Sequence, residues 1–306
     1  MSTIARARSC LLAASLVFLG GCSGGPPSLP SMRDARVGAP AAHGALLYVS
    51  DTDSGDVYVF SYPEGKLVQT LSGFTDPAGE CVDASSDVFI ANTGGSDVVE
   101  YAHGGTAPVA TLPDSGYFPV GCAIDPVTGN LAVTNFPSGS STQGNVVIYK
   151  HAKGKAKAAY ADPTIAQMLL CAFDGAGNLF VDGLTASSAS AFALLPRGAK
   201  KLQPMTLNQS IASAGGVAWD GTYLAIGDQS TNTIYQFKVK GSRGTMAGST
   251  QLGDATTVFQ FWLDGAKVIG PDAGAGNVKV WNYPAGGSPT KTIGGVYVPL
   301  GAAVSN

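Results

Sequence analysis

One short apolar strand recurs six times along this chain, and that recurrence constrains the fold more than any other feature. The copies are LLYVSD (46–51), DVFIAN (87–92), NLAVTN (130–135), NLFVDG (178–183), YLAIGD (223–228) and KVIGPD (267–272). Their last residues stand 41, 43, 48, 45 and 44 apart. A second strand follows each copy across a polar Gly/Ser/Asn turn: DVYVF (56–60), DVVEY (97–101), NVVIY (145–149), AFALL (191–195), TIYQF (233–237) and NVKVW (277–281). Two alternating runs across such a turn predict a hairpin. A unit of this length cannot bury both its faces alone, so the units must stack on one another.

A third strand precedes most units: ECVD (80–83), CAID (122–125), CAFD (171–174), VAWD (217–220) and FWLD (261–264). The residue before each Asp is apolar, as suits an inner strand covered on both faces. The first unit lacks this strand, while VPLGAAVSN (298–306) after the last unit matches FPVGCAID (118–125). The expected fold is therefore all-β: a six-bladed β-propeller of four-stranded antiparallel blades, its ring closed by the C-terminal strand joining the first blade. Closure of this kind leaves no open edge. The 41 glycines fit a turn-rich chain. Charged residues are only 13%, and the net charge of −3 offers no drive toward nucleic acid.

LYVSDTDSGDVYVFSYP (47–63) and DVFIANTGGSDVVEY (87–101) resemble the NHL-type repeats of six-bladed, TolB-like propellers. The resemblance runs from Leu46 to Asn306. It implies the fold; the activities carried by that fold range from lyases and lactonases to sensors and scaffolds.

The first residues read as an address. Arg6 and Arg8 precede an apolar run, CLLAASLVF (10–18), too short to stop in a bilayer. Leu19-Gly20-Gly21-Cys22 then resembles the bacterial lipobox. That resemblance implies a signal peptide over 1–21, cleavage before Cys22, and acylation of Cys22, which anchors a chain without spanning the membrane. Ser23 after the cysteine implies the outer membrane if the host is diderm. Residues 22–44, rich in Gly, Pro, Ala and Ser, read as a lipidated flexible tether reaching up to ~70 Å. The propeller occupies 45–306.

Candidate chemistry is sparse. Cys81, Cys122 and Cys171 lie in inner strands. They are expected as buried thiols packed like small hydrophobes. A Cys122–Cys171 bridge is the pairing to weigh, since the two are equivalent in adjacent blades and an exported chain can hold disulfides. His103 and His151 fall in turns opposite the hairpin loops, the wrong face for a Ser-His-Asp site. The central strands carry a ring of oxygens near their ends: Asp51, Asn92, Asn135, Asp182, Asp228 and Asp272. Such ligands suit Ca²⁺ or Mg²⁺, but Asp and Asn also cap turns by bonding backbone. Asp51–Asp56 looks like a calcium loop but has Tyr62 at the twelfth position, so it reads as a hairpin turn. The gluconolactonase/regucalcin family, a metal-dependent relative in fold, places Asn at the entry to its inner strands. The corresponding segments here are PAGE (77–80), PVGC (119–122), AGGV (214–217) and PLGA (299–302).

Two residues break the repeat. Glu80 stands where others have Cys or Val, and a carboxylate there is expected to be buried or in the axial channel with a raised pKa if unpaired. Trp262 stands where other blades have Ala or Cys and is a core or channel residue. The lysine run KHAKGKAK (150–157) reads as a solvated blade turn. No catalytic residue, metal or cofactor is assigned. The leading expectation is a monomeric, membrane-anchored extracytoplasmic module that binds a protein or glycan partner and no nucleic acid. The alternative is a divalent-metal lactonase- or lyase-like enzyme with its site at the propeller mouth.

Overall fold

The computed structural model describes residues 44–139 and 141–306. The signal segment 1–21, Cys22 and the tether up to residue 43 lie outside the described residues. The described chain is six antiparallel sheets in sequence order around an axis. The first blade is built from both ends of the chain: Pro299–Ser305 pairs with Leu46–Asp51, followed outward by Asp56–Ser61 and Leu67–Ser72. The predicted closure is therefore present. Blade 2 runs outward from Pro77–Val82, blade 3 from Tyr117–Ile124 and blade 4 from Gln167–Phe173. Blade 5 begins with Ala214–Trp219 and blade 6 with Trp262–Asp264. Blade 5 differs from the four-strand expectation. Thr206–Leu207 adds a short parallel fifth strand to its outer edge, against Arg243 and Gly244. No helix among the described residues is long and apolar enough to cross a membrane.

Most inner strands begin three to five residues earlier than their sequence pattern predicts. Pro77–Val82, Gln167–Phe173 and Ala214–Trp219 each carry a register irregularity after their first residues. The bulge hides the alternation, which is why only the second half of each strand reads clearly. Glycine explains how these strands crowd the axis. A Cβ on Gly79 would stand 2.7 Å from the Val120 carbonyl, and one on Gly121 would stand 2.8 Å from that of Leu169. No side chain fits at either position without backbone movement.

The blades stack through small-against-large pairs on neighbouring inner strands. Ala123 shares an interblade core with Cys171, Ala172 with Val217, Ala218 with Phe261, and Trp262 with Ala302. In the repeat these are one position of one blade facing the preceding position of the next. This phase corrects the disulfide expectation. Cys122 and Cys171 are equivalent, so each faces back toward its own preceding blade, and they occupy different interfaces. Cys81 is one residue out of phase and so faces forward. It bonds Cys122, with Cα atoms 5.7 Å apart, and Cys171 is free and buried. The bridge links blades 2 and 3 across a sequence separation of 41. Chain entropy alone gives such a crosslink about 3–4 kcal/mol. Replacing both Cys81 and Cys122 with Ser should lower unfolding stability by about that amount in a denaturant titration. Cys171→Ser should fall well short of it, and thiol counting that finds three free cysteines would refute the pairing.

Candidate functional site

The six-membered oxygen ring lies where the repeat predicts, toward the hairpin ends of the central strands. The structure gives those oxygens work within the backbone. Asp51 accepts the amides of Asp53, Ser54, Tyr297 and Val298. Asp228 accepts those of Ala212, Ser213 and Ser230. Asp272 accepts from Thr256 and Thr257 and pairs with Lys279 at 2.7 Å, the one ion pair among the described residues. Asn92 accepts from Thr75 and donates to Asp97. Asp182 accepts from Leu170, and Asn135 donates to Asn145. In four of these six blades the acceptor ties down the loop entering the inner strand of its own sheet, and in blade 4 Asp182 holds the bulged part of that strand itself. No group of three or more metal-ligating side chains is assembled among the described residues.

Burial sets the electrostatics of the ring. It pushes Asp182, whose Oδ2 has no partner, well above the ordinary carboxylate range. Asp272 goes the other way. Burial raises it, but Lys279 and the Thr256 and Thr257 donors outweigh that and lower it. Nearby Asp114 is raised to about 6 by burial. The calcium-like loop is a two-strand turn, with Asp51 opposite Asp56. His151 is exposed in its turn, and Nδ1 of His103 lies 2.7 Å from the Ser305 hydroxyl.

The axis itself holds two residues that the sequence reading missed. Four inner strands have glycine at one repeat position: Gly79, Gly121, Gly216 and Gly301. The other two have Leu170 and Gln260. Gln260 reaches across to blade 2, accepting from the Glu80 amide at 3.0 Å and donating to its carbonyl at 2.7 Å. It also accepts from Ala302 of blade 1. Leu170 lies against the glycines of blades 2 and 3. Together they divide the axial space. The departure from glycine was the signal, visible only when blades 4 and 6 are aligned with the rest.

On the hairpin side lies an apolar cavity of about 360 Å³, floored by Ala78, Val120, Phe136, Phe259 and Leu300 and rimmed by Thr52, Thr93 and Thr257. Tyr297 at 62% exposure and Phe118 at 38% stand in the loops and strand starts of the same face. On the other side is a cavity of about 540 Å³ lined by Cys171, Trp219, Gln260 and Trp262. Trp262 is half-buried there and packs against the core between blades 6 and 1.

Glu80 is fully buried, and neither carboxyl oxygen has a hydrogen-bond partner. It faces Ala303 between blades 1 and 2. The backbone amides of Ala303 and Ser50 approach it without closing a bond, so desolvation dominates and its pKa rises well above the ordinary value.

No protein-family profile matches the chain, and no curated protein matches it. Solved structures do match in fold. A chain of the nidogen/laminin complex superposes with TM-score 0.68 at 12% identity, covering 86% of this chain and 99% of that one. Kuenenia stuttgartiensis hydrazine synthase gives 0.63 at 15%, covering 78% and 81%. A functionally unknown protein from Desulfotomaculum acetoxidans gives 0.58 at 11%, covering 85% and 99%. At these identities the likeness shows the fold: the chain is a six-bladed β-propeller.

The buried carboxyl makes a signed prediction. The native state keeps the Glu80 proton that the unfolded chain releases near pH 4.3. The wild type therefore loses stability through this group as pH climbs above that value toward the raised native pKa. Glu80→Gln should gain stability over wild type progressively from pH 4 to pH 8 in urea titrations. Parallel curves would show that Glu80 ionises at no cost.

Proposed function

We propose that the protein is a lipid-anchored, extracytoplasmic propeller of the NHL-repeat, TolB-like type that binds a protein or glycan partner across its hairpin face and has no catalytic centre of its own. The observation that carries this reading is the apolar axial mouth on that face, with Phe136 and Phe259 in its floor and Tyr297 and Phe118 exposed on the same face. Concave apolar surface with a few hydroxyls around it is the usual form of a recognition site. Three of the four ring carboxylates that an enzyme would need for a metal, Asp51, Asp228 and Asp272, are occupied by backbone amides, by threonine and by Lys279. The Cys81–Cys122 bridge supports an oxidising compartment. The L-G-G-C segment supports acylation at Cys22.

Two experiments test the two halves of the reading. Cys22→Ala should release the protein from a membrane fraction washed at 500 mM salt and remove the acyl mass from its N-terminal peptide. Unchanged fractionation and mass would remove the anchor. A photo-crosslinking residue at Tyr297, in cells, should give one discrete adduct, and the same residue at Val127 on the opposite face should give none. Protease or glycosidase sensitivity of the adduct then assigns the partner's class. Equal or absent labelling at the two positions would remove the hairpin face as the binding surface.

A further inference from the structure

The exposed cations of this propeller are gathered on one face, and the chain enters the propeller from that face. Lys150, Lys153, Lys155 and Lys157 occupy the outer turn of blade 3. Arg197, Lys200 and Lys201 occupy that of blade 4, and Lys238, Lys240 and Arg243 that of blade 5. All are exposed, none makes an ion pair among the described residues, and these three turns contain no Asp or Glu. The lysine run in blade 3 is thus one third of a larger feature.

The three turns are contiguous. His151 in the blade 3 turn bonds Thr128 and Asn130, which share a groove with Arg197 and Lys200 of blade 4. The short Thr206–Leu207 strand crosses from blade 4 to blade 5, where Thr206 pairs with Arg243 and donates to the Ser242 carbonyl. That crossing sets Lys200 and Lys201 close in the chain to the blade 5 turn. The entry point lies on the same face: in blade 1 the corresponding outer turn begins with Tyr62, whose amide bonds Ala45, one residue before the first strand. The hairpin face is the reverse. Its one lysine, Lys279, is buried against Asp272.

Across blades 3 to 5 the acidic residues of the cationic face sit in the inner turns, nearer the axis. Asp125, Asp174 and Asp220 there bond amides of their own turns. The outer turns over blades 3 to 5 are left as a cationic rim, with Asp125 in the groove beside Arg197 and Lys200.

We propose that this rim docks the propeller onto an anionic phospholipid surface, turning the hairpin face outward. The inference rests on the reading of the chain as membrane-anchored, and it adds an orientation that the anchor alone does not supply. Clustered basic residues bind anionic bilayers through the surface potential, and the attraction fades within a Debye length. The entry of the chain on the same face favours a membrane over a soluble polyanion.

The test uses the full chain carrying Cys22→Ala, so that no lipid contributes. It should sediment with vesicles of 30% phosphatidylglycerol in phosphatidylcholine at 50 mM salt. It should not sediment with phosphatidylcholine alone, nor with either at 500 mM. Adding Lys153→Glu, Lys155→Glu and Lys157→Glu should lower partitioning at least tenfold. Lys267→Glu, outside the arc, should change it less than twofold. Binding to neither vesicle overturns the proposal whether or not Cys22 proves to be acylated. So does equal loss in the Lys267 variant. Tight binding to an oligonucleotide or heparin without vesicle binding also overturns it, making the arc a polyanion site.

Discussion

Everything in this propeller depends on how closely six inner strands can approach a common axis. Each must lie against two neighbours, and there is room only if one partner at every seam is small. The chain meets this condition by pairing Ala123 with Cys171, Ala172 with Val217, Ala218 with Phe261 and Trp262 with Ala302. At one seam the two partners are joined covalently, as Cys81–Cys122. Glycines one position earlier let the backbones close in further. Dense packing of this kind leaves little tolerance for added volume. It also fixes where the blade loops, and so both faces, must stand.

How much of this was legible follows from which signals repeat. The apolar central strand and the hairpin partner that follows it recur six times, so their positions, the blade count and the ring closure could be read directly. The inner strands were legible only from their middles, because bulges near Pro77, Met168 and Ala214 break the period. The disulfide was misjudged for an instructive reason. Equivalence in a repeat means the same orientation, so equivalent residues in adjacent blades point the same way around the ring and do not meet. The out-of-phase Cys81 was the one able to bridge. Similarly, Leu170 and Gln260 were hidden because a plug is defined by departure from glycine in two blades, and a motif search looks for presence.

The ring of Asp and Asn shows why polar repetition is a poor guide to chemistry. A propeller has to turn its chain from one blade into the inner strand of the next, and each such loop presents unpaired backbone amides in a partly buried place. Leaving them unpaired costs about 1–3 kcal/mol each. One carboxylate can satisfy several, as Asp228 and Asp51 do. Selection for the fold therefore produces the same residue pattern that a metal site would. Glu80 stands outside this logic. It is fully buried and leaves both oxygens without a hydrogen-bond partner, although the amides of Ala303 and Ser50 approach it. Among the described residues, this carboxyl at the seam beside the closing strand is the one whose two buried oxygens both lack a hydrogen bond, so burial opposes its charge without compensation.

The two faces differ for the same topological reason. Hairpin loops and inner-strand entries share one face, and their amides call for acceptors, so acidic and amide side chains collect there and cations do not. The outer turns on the opposite face carry no such requirement. Lys150 to Lys157, Arg197 to Lys201 and Lys238 to Arg243 sit in turns whose side chains are solvated and free of ion pairs. Three neighbouring turns without a single acid are not required by packing, since blades 1, 2 and 6 use Glu64 with Lys66, His103 or no charge at the same place. A feature that the fold permits but does not demand, placed on the face where the chain enters, is the kind of feature that an external surface explains. On the proposed docking, an anionic bilayer beneath that face would leave the apolar mouth at Phe136 and Phe259 as the surface presented to everything else.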